Sequence, residues 1–396
     1  WGILYYSFPV FLTPMRTELG WSTTALTGAY SVALLLSGFA AVPVGRWLDR
    51  HGPRAIMTAG SVSACLLVFA WAMVDSLWGF YLIWAGIGIT MAAVLYEPAF
   101  QVVAVWFSRR RAAALTLLTF IGGFASVIYL PLANSLMTRL GWRDALVALA
   151  LVQLAGTLPI HALALRRAPS DIGLGPDGDP LRHDAPAIAR RRSAPAVSVA
   201  LRSALFRWLA TSFVLATTAT MAITIHLIPY LVEQGYSASF AAGAAGLIGV
   251  FALPGRLIFT PLGSRVERRY VTALMFVLQT LALLVLIAAS SRLAVLAFVV
   301  LFGAGFGAIT PARAALVAEL FGTEHYGSLN GVLALAITLS RAIAPVGAGV
   351  LAGWAGYTST LWSLVALSAI AAIAALRLTP AGPQREDIER RVQQHA

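Results

Sequence analysis

Four charged side chains lie inside runs of residues that are otherwise apolar enough to cross a membrane: Glu97, Arg256, Arg313 and Arg341. An ionisable group at such depth is expensive to bury, and its ordinary use is to bind or relay charge. Burial favours a protonated acid and a nearby cation favours the carboxylate, so Glu97 can load and release a proton. An arginine cannot discharge itself that way. It needs an anion, a set of acceptors or water, and its planar fork matches a carboxylate. Arg341, in the middle of the run containing LSRAIAP, therefore reads as a contact for an anionic substrate. Arg256, nearer the end of its run, reads either as a second contact or as a side chain stretched toward the surface. His226 is a lone imidazole, open to a proton relay or to a purely structural hydrogen bond. Tyr5, Tyr6, Thr13, Tyr96, Gln101, Thr217, Thr220 and Thr224 add polar points that either line a cavity or bridge helices.

The elements that must position these groups are membrane spans. At 59% hydrophobic and 11% charged, with a mean hydropathy of +0.81, the chain is outside the soluble range. Twelve stretches reach the twenty or so apolar residues that a bilayer requires. They are 1–17, 22–46, 54–74, 77–105, 112–137 and 142–165, then 206–232, 239–263, 270–290, 293–320, 325–352 and 358–377. The formal charge is +12 and every basic residue other than histidine is Arg. These arginines do not gather on one soluble face, which excludes a nucleic-acid binder. They sort by loop: 21 fall in alternate loops and tails, and Arg16, Arg139, Arg143 and Arg292 in the others. The positive-inside rule then places both termini in the cytoplasm and the chain in a bacterial inner membrane. The chain starts on Trp1 inside an apolar run, so the natural N-terminus is expected to lie upstream.

Enzyme chemistry finds no support. Cys65 stands alone, metal-ligand Cys/His spacing is absent, and neither a phosphate-loop Lys nor a GxSxG turn occurs. No cofactor is implied. GAGFG (Gly303 to Gly307) and AGIGIT (Ala85 to Thr90) look like pieces of nucleotide loops, but inside apolar runs they predict close helix packing.

Between the second and third spans lies GRWLDRHGPR, Gly45 to Arg54, which reads as a tight polar turn at the membrane surface. It is repeated. Pro43, Gly45, Asp49 and Arg50 are matched by Pro261, Gly263, Glu267 and Arg268 at an offset of 218. LTPMRTELGWS from Leu12 is matched by LIPYLVEQGYS from Leu227, and LGWRDAL from Leu140 by AGYTSTL from Ala355, both at 215. The chain is a duplication of a six-span half. Its predicted parts are a first bundle over 1–166, a cytoplasmic linker over 167–204, a second bundle over 205–379 and a polar tail over 380–396. A short interfacial helix is expected from Val197 to Arg207. In corresponding spans, Glu97-Pro98 and Pro311-Ala312-Arg313 occupy similar depths, and a pair between Glu97 and Arg313 would join the halves as a switch.

The decapeptide, with Gly45, Asp49, Arg50, Gly52 and Arg54, resembles the signature between the second and third helices of the major facilitator superfamily. The chain is most similar to that family's bacterial monocarboxylate-porter-like branch, through FPVFLTPMRTELGWS, VWFSRRR, LGWR and the linker PSDIGLGPDGD. The resemblance implies an all-α membrane protein: twelve transmembrane helices in two pseudo-symmetric six-helix bundles. It implies conformational gating by Gly45, Asp49, Arg50, Gly52 and Arg54 and by Gly263, Glu267 and Arg268. It also implies a central cavity lined by helices 1, 4 and 7, and carboxylate contacts from cations in helices 8 and 11. The fifth span lacks the GxxxGPxxGG pattern of proton-linked drug antiporters, and the first lacks the acidic and basic pair of some carboxylate porters. The expected function is a monomeric secondary transporter that moves a small organic anion with a proton. The alternatives are an exporter using Glu97 for cationic or amphiphilic substrates, and a membrane receptor that transports nothing.

Overall fold

The computed structural model describes residues 2–180, 197–263 and 265–379, so the polar tail and the middle of the linker lie outside the described residues. Phe8–Leu19 (α1), preceded by a π turn over Gly2–Tyr6, opens the chain. Then come Thr23–His51 (α2), Pro53–Ala72 (α3), Leu77–Trp106 (α4), Arg111–Leu140 (α5) and Trp142–Ala164 (α6). The second series is Ala204–Glu233 (α7), Ala238–Leu262 (α8), Arg268–Ile287 (α9) and Arg292–Phe321 (α10). The helical stretch Tyr326–Leu376 is broken at Gly356, whose φ of 81° and ψ of 165° are not helical, giving α11 (326–355) and α12 (357–376). Among the described residues, ten stretches are long and apolar enough to cross a membrane. With the last counted as two, and with α1 and its π turn, the described helices make the twelve that the sequence predicts.

The duplication is visible in the helix boundaries. α2 to α6 begin at 23, 53, 77, 111 and 142, and α8 to α12 begin 215 residues later in every case. The punctuation is duplicated too. Ser22 and Ser76 cap α2 and α4 by accepting the N–H of Ala25 and Gly79, and Ser237 and Ser291 do the same for Phe240 and Ala294. Gly141 and Gly356 share one backbone conformation, with φ of 81° in both, where a side chain would be strained.

Among the described residues the chain gathers into two compact units. The first takes 2–110, 117–180 and 323–338; the second takes 111–116, 197–322 and 339–379. In the first, α4 packs on α2 and α3, and α3 on α6. Its core is aromatic: Trp84 meets Trp71 at 4.8 Å and Phe8 at 4.9 Å, while Phe8 stacks on Tyr30 at 4.8 Å. In the second, α10 packs on α8 and α9 around Phe298, Phe302 and Tyr230. The glycines of AGIGIT and GAGFG sit at these crossings. A methyl group on Gly88 would overlap the Ala33 carbonyl, and one on Gly307 would overlap that of Ala252. Close packing, not phosphate binding, is what those motifs do.

Two expectations are corrected. The stretch Gly45 to His51 is not a turn but the last part of α2, and the chain reverses only at Gly52, where φ is 76°. The helix outlasts its apolar run because its final turns have another helix to pack on, as described below. The expected interfacial helix is shorter than predicted. It spans Val197–Arg202, and Arg207 already belongs to α7, whose cap is Ser203.

The linker is held down as far as it is described. Asp177, at φ 65°, buries its carboxylate and accepts the N–H groups of Ser108, Arg109 and Arg110 at 3.1, 2.9 and 3.0 Å, just ahead of α5. Asp179 takes a two-pronged contact from the Arg109 guanidinium at 2.7 and 2.8 Å. Burial alone would push the Asp177 carboxyl up, but the three N–H donors and the Arg109 charge outweigh it and hold the group below its ordinary 3.8. A carboxyl depressed by folding stabilises the fold above its unfolded value, and that contribution is lost as pH falls through the native one. Thermal melting in detergent from pH 7 to pH 3 is therefore expected to show a wild-type loss of stability at the acid end that Asp177→Ala lacks. At pH 7 the variant should already be about 1.5–3 kcal/mol less stable.

Candidate functional site

At one end of the first unit, the residues of the decapeptide each have a distinct physical task. Gly45 has no side chain, which lets α2 lie with its backbone against Gly327 at the start of α11; a methyl group on either glycine would strike the other's carbonyl. One turn on, the Asp49 carboxylate accepts the N–H groups of Gly327 and Ser328, both at 2.7 Å, and the Gln101 amide at 3.1 Å. An anion at a helix N-terminus satisfies donors that have no partner within the helix. Gly52 makes the reversal. Arg54 donates from Nε to the Ala162 carbonyl at 2.7 Å, fixing the end of α6. Arg50 is exposed.

Glu97 lies one turn before Gln101 on the same helix. α4 breaks at Leu95, whose ψ is −143°, and Glu97 stands in the first turn of the new segment Tyr96–Trp106. Its Oε2 accepts a hydrogen bond from the amide of Asn330, a residue buried in α11. Tyr96 stacks on Phe100 with centroids 5.0 Å apart and sets its hydroxyl against Gly122 of α5. Tyr5, in the π turn, packs against Tyr6 and Tyr30 and accepts the Tyr30 hydroxyl on its carbonyl at 3.2 Å. Glu97, Gln101, Asp49 and Asn330 thus form one polar cluster that ties α2, α4 and the start of α11 together.

The second unit holds the three deep arginines. Arg313 is buried, four residues into the segment Ile309–Phe321 that follows a break in α10 at Ala308. Arg256 donates from Nε to the Gly307 carbonyl at 3.0 Å, so it is turned toward that break and not toward the surface. Arg341 is exposed, yet it is not on the apolar face of α11. Ile343, Val346 and Val350 mark the exposed apolar face of α11, and at about 100° per residue Arg341 stands on the opposite side, flanking buried Ser340, Ala344 and Ala348. Ser340 hydrogen-bonds Thr218 of α7 at 2.8 Å. His226 has both ring nitrogens engaged, with the Pro345 carbonyl at 2.9 Å and the Tyr357 hydroxyl at 3.3 Å. Through these two contacts His226 ties α7 to α11 and α12. Thr220 is also structural, accepting the Gln279 amide at 3.1 Å, and Thr217 is buried beside it.

The second copy of the decapeptide departs from the first. α8 stops at Leu262, so Gly263 begins a loop where Gly45 is still helical, and Glu267 precedes α9 without capping it. Glu267 pairs with Arg269 at 2.6 Å, and Arg268 with Glu319 of α10 at 2.6 Å. Glu267 therefore accepts no backbone N–H at a helix start as Asp49 does.

The family model of the Major Facilitator Superfamily matches residues 2–269 and 251–395. The chain belongs to the major facilitator superfamily. Among curated members it is 24% identical to the uncharacterised transporter YcxA of Bacillus subtilis (strain 168), over 82% of this chain and 78% of that one. It is 26% identical to monocarboxylate transporter 13 of Rattus norvegicus, over 80% and 71%. Among solved structures it is similar to a bacterial homologue of the iron transporter ferroportin (TM-score 0.73, 15% identity, 95% of this chain and 96% of that one). It is also similar to the transporter FucP in its outward conformation (0.70, 18%, 95% and 98%). At these identities the structures speak for the fold alone. The protein is a multi-pass membrane transporter, not an enzyme.

Three residues of this superfamily member escaped the sequence reading. Asn330 is a single polar side chain in GSLNG, and nothing local marks it as a partner of Glu97. Asp177 hides in a turn-rich linker. Glu319 had a signal: it lies 218 residues after Gln101, the offset that relates Glu267 to Asp49.

Proposed function

We propose that this transporter moves a small organic anion across the cytoplasmic membrane by alternating access, in symport with a proton. The reading rests on one observation: Arg341, which cannot discharge itself, is accessible on the side of α11 away from its exposed apolar face. A guanidinium placed there attracts a carboxylate. Similarity to a monocarboxylate transporter supports the same substrate class. Glu97 is the proton carrier, with Arg313 as the cation that exchanges with Asn330 during the cycle. The Asp49 end faces the cytoplasm, and the capped start of α11 is the closed cytoplasmic gate, released when the bundles 1–166 and 205–379 rock.

Reconstituted protein given a proton gradient and a panel of labelled substrates tests this. Lactate and pyruvate should accumulate, and the cation ethidium should not. Arg341→Ala should weaken anion binding by about 2–5 kcal/mol, roughly thirtyfold to several thousandfold. Arg341→Lys keeps the charge but loses the fork, and should fall between. Normal lactate and pyruvate transport by both variants would remove the anion reading. Ethidium moved in exchange for protons would favour export through Glu97.

A further inference from the structure

We infer that Arg256 is a positioning residue. It supplies to the Gly307 carbonyl the hydrogen bond that Pro311 cannot make, and so holds the break in α10 that places Arg313. The inference goes beyond the transport reading and does not depend on the substrate.

In an α-helix the carbonyl of one residue accepts the N–H of the residue four further on. For Gly307 that residue is Pro311, which has no N–H and whose ring crowds the preceding turn. The helix leaves regular geometry at Ala308, and the next rung is already restored, with the Ala312 N–H on the Ala308 carbonyl at 2.9 Å. One buried carbonyl is thus left over. A buried acceptor without a donor is among the costlier defects a helix can carry. Arg256 Nε meets it at 3.0 Å from the neighbouring helix.

The approach that makes this possible is written into small residues. Gly307 lies on the carbonyl of Ala252, one turn before Arg256 on the same face of α8, and Gly255 lies on the carbonyl of Ala304. α8 and α10 are therefore in backbone contact over the turn that leads into the break, and the guanidinium closes the one rung that proline opens. Arg313 follows Pro311 by two residues, so the orientation of the segment that carries it depends on this bond.

The test uses purified full-length protein in detergent, read by hydrogen–deuterium exchange at the amides of residues 312–316 and by thermal melting. Arg256→Met removes the donor and keeps an unbranched apolar stem; exchange in this segment should rise by about tenfold and the melting point should fall. Arg256→Lys keeps a donor and should retain most of the protection. Pro311→Ala restores an N–H to the Gly307 carbonyl, so adding Arg256→Met to Pro311→Ala should raise exchange by less than about twofold. A full tenfold rise in the Pro311→Ala background would overturn the assignment. So would unchanged protection in Arg256→Met, and that result would return Arg256 to the candidates for direct substrate contact. If Arg256→Met fails to fold, rescue of folding by Pro311→Ala supports the proposal and failure to rescue refutes it.

Discussion

Glu97→Gln is expected to abolish proton-driven accumulation while leaving exchange of substrate across the bilayer at equal pH within a few-fold of wild type. Glutamine has the shape of the protonated acid but cannot titrate. It still presents a carbonyl oxygen to the Asn330 amide that Glu97 now accepts from, so the local fold should survive. Any weakening of that bond should stay within about 1–2 kcal/mol. An asparagine suits a proton carrier because its amide holds both a donor and an acceptor and can face either protonation state. A pH-sensitive dye inside liposomes reads the result. Undiminished substrate-coupled proton entry in Glu97→Gln would rule Glu97 out as carrier, and His226 would be next to test. The Arg313 exchange predicts in addition that Arg313→Gln destabilises the protein and that Glu97→Gln partly restores it, with a coupling of about 0.5–3 kcal/mol in thermal melts.

Asp49→Ala should slow transport more than tenfold and leave equilibrium substrate affinity within a few-fold. The carboxylate accepts two backbone N–H groups at the start of α11 and the Gln101 amide. Losing them should shift the balance away from the latched state by about 2–4 kcal/mol, roughly thirtyfold to several hundredfold in population. Single cysteines introduced at the Asp49 end would report this as faster labelling, since the native Cys65 is buried. Gly327→Ala attacks the same contact from the other side, because a methyl group there would meet Asp49, Gln101 and the Gly45 carbonyl. It should reproduce the phenotype. A folded Asp49→Ala protein that binds no substrate at all would show that Asp49 acts at the substrate and not at the gate. Glu267→Ala is expected to be milder, since its partner is Arg269 in the first turn of α9 and not the backbone N–H groups of a helix start.

The fold was readable because everything that sets it is local or periodic. Span length, Ser caps and Gly reversals each depend on a few adjacent residues, and they recur at one offset, so the second half checked the first. Where the reading slipped, a distant partner had intervened. Gly45 to His51 has the composition of a turn, but α2 continues through it because Gly327 offers a backbone to pack against and Asp49 finds a helix start to cap. The repeat itself misled at Glu267. Matching motif letters at 218 suggested an equivalent of Asp49, whereas the helices repeat at 215 and α8 ends too early to carry the acid to the same place.

The sequence by itself determined that this is a twelve-span duplicated transporter with a repeated charged motif and four charges within its spans, because hydropathy, spacing and charge bias are properties of the chain taken in order. Only the tertiary structure decided what those charges do. Glu97 meets Asn330 across 233 positions, Asp49 meets Ser328 across 279, and Arg256 meets Gly307 across 51. A buried polar group must find a partner, but the sequence shows only that it needs one. Which partner it finds depends on which helix faces come together, and that is settled by the packing of all the spans at once.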